Sequence, residues 1–413
     1  MNNLKNKKDS WARSFQKFVP MVYLNDIKIG TFSFPTDDML RPEDFSPAWF
    51  KNPTSLEIDF GVTQGCTDAC WFCNYGRHLV KNPISLNMDF IDKTIEEFVG
   101  AGGVSIAFSH LGEAFYHKDF KRILEKIDSY PLLCKNISNG TKLLNPNNDI
   151  FETYSMVDHQ RFSIDSVDDE SRSLGHYTGA TTQKTIPGVY RKYIDNLHKY
   201  IVYLKDRRIR QNKIIGATML IAPYVLRDDH SLFDTIKELS EIGLDYVKIR
   251  PILDEGNLAC NLLNFTENNR QRLEYQLPEI QKLNSPDFWI KFSDFKNAKN
   301  IAHELTTFDK KINETKKKEK CWISTVRPHI DPFSSETAKV YPCLRSTWEG
   351  DNHDYQVIVM DKYSIRNAFK LGNHPIVPGC QNCCNESMNQ AAIQMENIYM
   401  QYGDGIRFVS EQK

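Results

Sequence analysis

Three cysteines lie within eight residues in the segment GCTDACWFCNYG, at Cys66, Cys70 and Cys73, spaced Cys-x3-Cys-x2-Cys. Thiolates at this spacing can take three corners of a four-iron cubane; since such a cluster normally has four cysteine ligands, a three-cysteine loop leaves one iron open to an exogenous ligand. The competing chemistry is a zinc site completed by His78. Zinc motifs more often come as paired Cys-x2-Cys units, and an aromatic such as Phe72 directly before the last cysteine has no role in them.

Eight of the ten cysteines fall in two regions, and the second lies near the C-terminus. Cys321 and Cys343 flank RPHIDPFSSETAKVYP, which reads as a β-hairpin with its loop at Asp331 to Glu336, and Cys380-x2-Cys383 follows on a Pro-Gly turn. Four thiolates can converge there on iron or, with the same spacings, on a structural zinc. Cys384 stands beside Cys383 as an alternative ligand or a spare thiol. Cys134 sits inside an apolar strand pattern and reads as a small buried hydrophobe. Cys260 follows ILDEGNLA on a loop, as a hydrogen-atom donor or an inert thiol.

The elements that must position these cysteines follow an alternating rhythm. Apolar β-type runs at Leu56 to Val62, Val104 to Ser109, Leu133 to Ser138, His159 to Ile164, Ile214 to Ile221 and Tyr246 to Ile249 alternate with helical patterns. The helical patterns are Phe90 to Val99, Phe120 to Ile127, Ile150 to Tyr154, Tyr190 to Leu204 and Leu232 to Ile242. About six β/α units predict an α/β fold with a parallel sheet and helices outside it. The turns VTQGC, SHLGE and SNG follow the first three strands, at the C-terminal ends where parallel folds place their chemistry. Residues 1–50 read as an N-terminal extension, a short helix then extended segments around Met21 to Phe32. Residues 51–255 form the β/α domain, and 256–320 a helical linker with the basic run KKINETKKKEK. Residues 321–413 form a cysteine-bearing subdomain ending in a helix from Gln390 to Tyr402.

Composition narrows the class. A chain of 413 residues with 40% hydrophobic side chains can bury a large core. Lys plus Arg number 52 against 53 for Asp plus Glu, so no global charge pulls the protein toward nucleic acid or an anionic membrane. The first thirty residues hold no long apolar run, which predicts a cytoplasmic protein without a signal peptide or membrane span. In that reducing compartment clustered cysteines point to metal or redox chemistry rather than disulfides.

The Cys66, Cys70, Cys73 spacing with Phe72 before the third cysteine resembles the signature of the radical S-adenosylmethionine (SAM) superfamily. The resemblance implies a partial (β/α)6 barrel over most of residues 55–251 and a [4Fe–4S] cluster whose open iron chelates SAM. An electron from that cluster would cleave SAM to a 5′-deoxyadenosyl radical. It places Gly112 and Glu113 where the family contacts the SAM amino group, with Leu111 and Ala114 departing from the usual Gly-Gly-Glu-Pro pattern. Glu113 is alternatively a solvated helix-start carboxylate. Ser138 and Asn139 close the third strand. Ser163 and Asp165 in RFSIDS, alternating on one strand face, either hold SAM's ribose or carboxylate or cap the strand end. Arg250 in KIRP can grip a carboxylate or phosphate, or form a rim salt bridge. The C-terminal cysteines resemble the twitch subdomain of SPASM/twitch enzymes, implying one auxiliary [4Fe–4S] cluster on Cys321, Cys343, Cys380 and Cys383.

An auxiliary cluster suits oxidation of a small polar substrate such as a sugar, aminocyclitol or nucleoside, with a flavodoxin- or ferredoxin-type electron donor. Its rivals are a peptide maturase forming thioether, carbon–carbon or epimerised products, and a non-catalytic metal-binding protein. RNA modification fits less well, because no basic stripe is evident.

Overall fold

The structure is a computed structural model that describes residues 18–32, 35, 39–68, 70, 72–73, 82–109, 112–176, 186–251, 266–292, 326–341, 358–361, 369 and 386–412. In chain order the strands are β1 (Phe18–Leu24), β2 (Ile27–Thr31), β3 (Glu57–Phe60), β4 (Ser105–Phe108), β5 (Leu133–Ser138), β6 (His159–Ser163), β7 (Ile214–Ile221), β8 (Tyr246–Pro251) and β9 (Trp289–Phe292). They continue with β10 (His329–Pro332), β11 (Thr337–Tyr341), β12 (Ile358–Asp361) and β13 (Ile406–Gln412). The chain divides into two units: Met1–Gly65 with Asn82–Lys135 and Thr315–Lys413, and Cys66–Lys81 with Asn136–Glu314. It passes from the first to the second within β5.

In the first unit, β3 pairs in parallel with both β4 and β10, and β10 leads through the expected hairpin into antiparallel β11 and β12. Strand alternation sorts β3 into two faces. Ile58 and Phe60 face the helices: Phe60 stacks on Phe108 at 6.4 Å, and Phe108 meets Phe120 of the helix Phe120–Asp128 edge-on at 5.1 Å. That helix buries Phe120, Ile123, Leu124 and Ile127, the one-face spacing of an amphipathic helix. The helix Met88–Gly100 does the same with Ile91, Ile95 and Phe98, and Asn87 caps it by accepting from Phe90 N–H at 2.9 Å.

The opposite face of β3 carries buried charge, and each charge has a partner. Glu57 accepts from Ser105 Oγ at 2.6 Å and pairs with Arg327. Asp59 accepts from Ser109 N–H at 3.0 Å and faces His329 Nδ1 at 3.4 Å.

The N-terminal segment is part of this unit's core. β1 pairs antiparallel with β2 and with β13, bringing Val22, Phe32, Ile406 and Phe408 together with Phe45, Trp49 and the buried side of the helix Glu386–Tyr402. That helix contributes Met388, Ala391, Ala392 and Met395.

In the second unit β6, β7, β8 and β9 pair in parallel. β9 is a strand in a region where the sequence reading placed only a linker and helices; at four residues it is too short to show periodicity. The helix Val189–Asp206 buries Tyr193, Ile194, Leu197, Tyr200, Ile201 and Leu204. The helix Ser231–Glu241 buries Leu232, Thr235, Ile236 and Leu239. No described helix is long and apolar enough to cross a membrane.

Removing Glu57 leaves the Arg327 guanidinium, 8% exposed, without its counter-charge. Glu57→Ala is expected to destabilise the protein by about 3–5 kcal/mol, the usual effect of breaking a buried pair on one side. Urea unfolding of the variant tests this; a shift below about 1 kcal/mol would mean that water solvates the pair.

Candidate metal centre

Just before the cysteine loop, in the first unit, two backbone segments approach each other closely. Glu113 N–H donates to Gly65 O at 2.7 Å, while Gly65 N–H donates to Thr63 Oγ1 at 3.0 Å. Gly112 makes this possible. Its φ is +79°, and a Cβ there would lie 2.5 Å from Thr63 O and 2.6 Å from Gly65 O. The Glu113 carboxylate, 4% exposed, accepts from Phe115 N–H at 3.4 Å at the start of a short 3-10 turn. The helix-start alternative is therefore right about the cap and wrong about solvation: this carboxylate is buried.

In the second unit, Cys66, Cys70 and Cys73 are half-exposed and free of disulfides. Two groups point at Cys66 Sγ: Asp68 N–H at 3.4 Å and the Asn139 side-chain amide at 3.7 Å. Asn139 also donates to Thr67 Oγ1 at 3.0 Å and accepts from Thr141 N–H at 2.9 Å, tying the turn after β5 to the loop. Arg172, lying over the Tyr193 ring at 4.4 Å, donates to the carbonyls of Asn139 and Ile164.

A buried polar chain backs Cys70. His176 Nδ1 lies 3.3 Å from Cys70 Sγ and 3.1 Å from Asp68 Oδ2, and its Nε2 lies 3.6 Å from Asp165 Oδ2. Thr141 Oγ1 donates to the other Asp68 oxygen at 3.2 Å. Burial opposes protonation of His176, but the carboxylates of Asp165 and Asp68 beside its two ring nitrogens outweigh it and raise its pKa. Burial, with Asp68 and the neighbouring thiols adding to it, pushes the Cys70 thiol well up. A thiolate is unfavourable at that position unless a cation joins it, which is the situation of a metal ligand. Three thiols on one loop that form no disulfide, with amide donors aimed at one sulfur, fit a [4Fe–4S] cluster. Asp68, Cys70 and His176 also hold their ligand atoms within 4.8 Å of one another.

The structure brings together only part of the expected set. Phe72 sets its ring edge-on against His176 at 5.9 Å. Asp165 is not on the strand: β6 ends at Ser163, and Asp165 follows in a left-handed turn with φ 46°. Its carboxylate faces His176 and accepts from Leu220 N–H at 2.8 Å, so the alternation expected to align Ser163 with Asp165 does not extend that far. The Ser138 hydroxyl meets Tyr154 OH at 3.1 Å and accepts from Gly140 N–H at 3.0 Å at the turn after β5. Arg250 is half-buried on β8. Cys134 is buried in β5, as expected. His78, Leu111, Cys260, Cys321, Cys343, Cys380, Cys383 and Cys384 lie outside the described residues.

Sequence reasoning missed Asp68, His176 and Arg172. Asp68 had a signal, its place between two ligands, whereas His176 and Arg172 lie about a hundred residues on and join the loop through tertiary folding alone.

Gly112→Ala is expected to lower stability by at least about 1–3 kcal/mol, since the left-handed backbone and two facing carbonyls both oppose a side chain. Urea unfolding with an unchanged m-value would establish it; an unaffected midpoint would mean that the turn has another backbone path.

Residues 61–204 match the family model described as the radical SAM superfamily. Among solved structures, Streptococcus suis SuiB bound to the precursor peptide SuiA is 12% identical, with 81% of this chain and 69% of that chain covered and a TM-score of 0.50. SuiB bound to S-adenosylmethionine is 12% identical, with 74% and 63% covered and a TM-score of 0.49; the chain thus spans less than two thirds of that relative. Native anSMEcpe with bound AdoMet is 11% identical, with 84% and 96% covered and a TM-score of 0.47. At 12% identity the likeness to the SuiA-bound structure is one of fold alone. No curated protein matches the sequence. The cysteine loop, the α/β fold and the family match agree on a radical SAM domain within residues 61–204.

Proposed function

We propose that this chain is a SPASM/twitch-type radical SAM enzyme that takes a hydrogen atom from a small polar substrate and oxidises it by two electrons. The observation that carries the reading is the loop of Cys66, Cys70 and Cys73, three thiols without disulfides, with the Asp68 N–H and the Asn139 amide directed at one sulfur. When bound, a [4Fe–4S] cluster supplies the electron that splits SAM into methionine and a 5′-deoxyadenosyl radical.

The chain's own residues hold and shield that chemistry. Cys66, Cys70 and Cys73 supply the thiolates. Asn139 fixes the loop to the turn after β5, and donors directed at sulfur favour the thiolate form. The buried Asp68–His176–Asp165 chain holds Cys70 in place while keeping water from its inner side. In this reading Cys321, Cys343, Cys380 and Cys383 would hold an auxiliary [4Fe–4S] cluster, which would supply an acceptor for the second electron of the oxidation. Cys260 is then a bystander.

Anaerobically reconstituted protein is expected to hold about eight iron atoms per chain. Near four iron with one zinc would remove the auxiliary cluster from the reading. Replacing Cys66, Cys70 and Cys73 together with Ala should abolish 5′-deoxyadenosine formation after dithionite reduction; persistent SAM cleavage would overturn the proposal.

Cys380→Ala should spare that cleavage and block formation of an oxidised product. A peptide product of unchanged oxidation state would move the reading to peptide maturation.

A further inference from the structure

The buried group behind Cys70 has the makings of a metal site of its own. His176 Nδ1 is its centre, 3.3 Å from Cys70 Sγ and 3.1 Å from Asp68 Oδ2, and the three ligand atoms all lie within 4.8 Å of one another. Around a tetrahedral zinc ion, with bonds of about 2.3 Å to sulfur and about 2.0–2.1 Å to nitrogen and oxygen, such atoms sit roughly 3.3–3.6 Å apart. Both separations from Nδ1 are close to that spacing, so small side-chain movements let one nitrogen, one oxygen and one sulfur share a cation.

A second observation points to the same ligand. A metal-bound histidine almost always gives its other ring N–H to a carboxylate, and a ligating carboxylate is itself hydrogen-bonded. Both features are built here. His176 Nε2 lies 3.6 Å from Asp165 Oδ2, and the other Asp165 oxygen is fixed by Leu220 N–H at 2.8 Å. The Asp68 oxygen turned away from His176 accepts from Thr141 Oγ1 at 3.2 Å. The side chains of Asp68, Asp165 and His176 are each at most 3% exposed, and carboxylates so far from water need a cation or a donor beside them.

Local structure aims the ring. His176 closes the helix Asp169–Gly175 with its N–H on Arg172 O at 2.8 Å. Gly175, just before it, lets the chain pass close to the turn at Asp165: a Cβ there would lie 3.4 Å from Asp165 O and 3.2 Å from the Tyr224 hydroxyl. Among the described residues His176 is the histidine beside a loop thiol, a partner 106 positions from Cys70 that spacing alone does not reveal.

We propose that Asp68, Cys70 and His176 form a mononuclear site for a divalent transition-metal ion, zinc above all, which fills when the loop carries no iron–sulfur cluster. His176 coordinates through Nδ1 with its proton on Nε2 toward Asp165, Asp68 contributes one oxygen, and the Cys70 thiol releases its proton to solvent as the sulfur–metal bond forms. Three protein ligands leave the fourth tetrahedral position to water. Because Cys70 belongs to both arrangements, zinc and cluster exclude each other at this loop. The zinc site stands without the enzyme reading above; its competition with the cluster rests on that reading.

The probes are Co2+ and Zn2+, titrated anaerobically into full-length iron-free C66A/C73A protein, whose loop keeps only Cys70. This chain should bind one Co2+ more than the same chain also carrying H176Q, and the difference spectrum should show sulfur-to-cobalt charge transfer with the visible bands of tetrahedral cobalt. Metal held by the remaining cysteines is common to both and cancels. In this background D68N and D165N should each bind Zn2+ at least about tenfold more weakly, the usual effect of losing a ligand or the carboxylate behind a histidine. If circular dichroism shows H176Q unfolded, D68N and D165N carry the test. Equal Co2+ content with and without His176, a difference spectrum lacking sulfur charge transfer, or Zn2+ affinity unchanged in both aspartate variants would overturn the proposal. Wild-type protein loaded with Zn2+ before reconstitution should fail to form 5′-deoxyadenosine, whereas zinc-free protein forms it; full cleavage by the zinc-loaded protein would overturn the exclusion. His176-dependent Co2+ binding by a chain whose wild-type form never cleaves SAM would keep the site and remove the enzyme reading.

Discussion

Everything at the cysteine loop depends on holding sulfur atoms together in a place where a bare thiolate is unfavourable. Cys70 has Asp68 and Asp165 nearby and its inner side is out of water, so negative charge on its sulfur meets both desolvation and repulsion. Two things can relieve this: a cation coordinated by the sulfur, or a proton on it. The surrounding donors, His176 toward Cys70 and the Asn139 amide toward Cys66, lower the penalty without removing it. A loop assembled this way favours metal over an empty, ionised state, and the loop's fixed geometry follows from anchors that do not themselves bind metal.

Those anchors explain why the element ends matter more than the elements. Asp165 leaves β6 in a left-handed turn, and so its carboxylate can bridge the Leu220 amide and the His176 ring. Asn139 uses both ends of its amide, one on the loop and one on the turn that begins at Gly140. His176 reaches the loop because the helix Asp169–Gly175 starts at a defined point, where Asp168 and Ser171 form a reciprocal cap.

Much of the fold was legible because most of its elements have strong periods. β5 and β7 were read with the bounds they have, and the helix Phe120–Asp128 was one residue longer than its apolar pattern. The loop cysteines were legible from spacing alone. His176 was not, because a histidine after a short polar helix has no local feature that separates it from a surface residue. Nor could the sequence show that the Ser138 hydroxyl would meet the Tyr154 hydroxyl and the Gly140 amide, since the Tyr154 contact depends on how a helix packs on β5. For Asp165 the strand alternation was carried two residues past the end of β6, and its carboxylate reaches His176 from a left-handed turn instead.

Charges on the two units' sheets follow different rules. On β3 and β10 each buried charge described has a partner in register or hydrogen-bond reach: Glu57 with Arg327, Asp59 with His329. Such pairs satisfy desolvated groups and fix the register of a parallel pair; removing one member exposes the penalty borne by the other. On β6 to β9 the register instead sets Lys248 opposite Lys291, and the buried Thr218 hydroxyl on the other side of Lys248 has no hydrogen-bond partner among the described residues. Neither choice helps the strands pair, and a hydrophobic residue at any of these positions would pack at least as well.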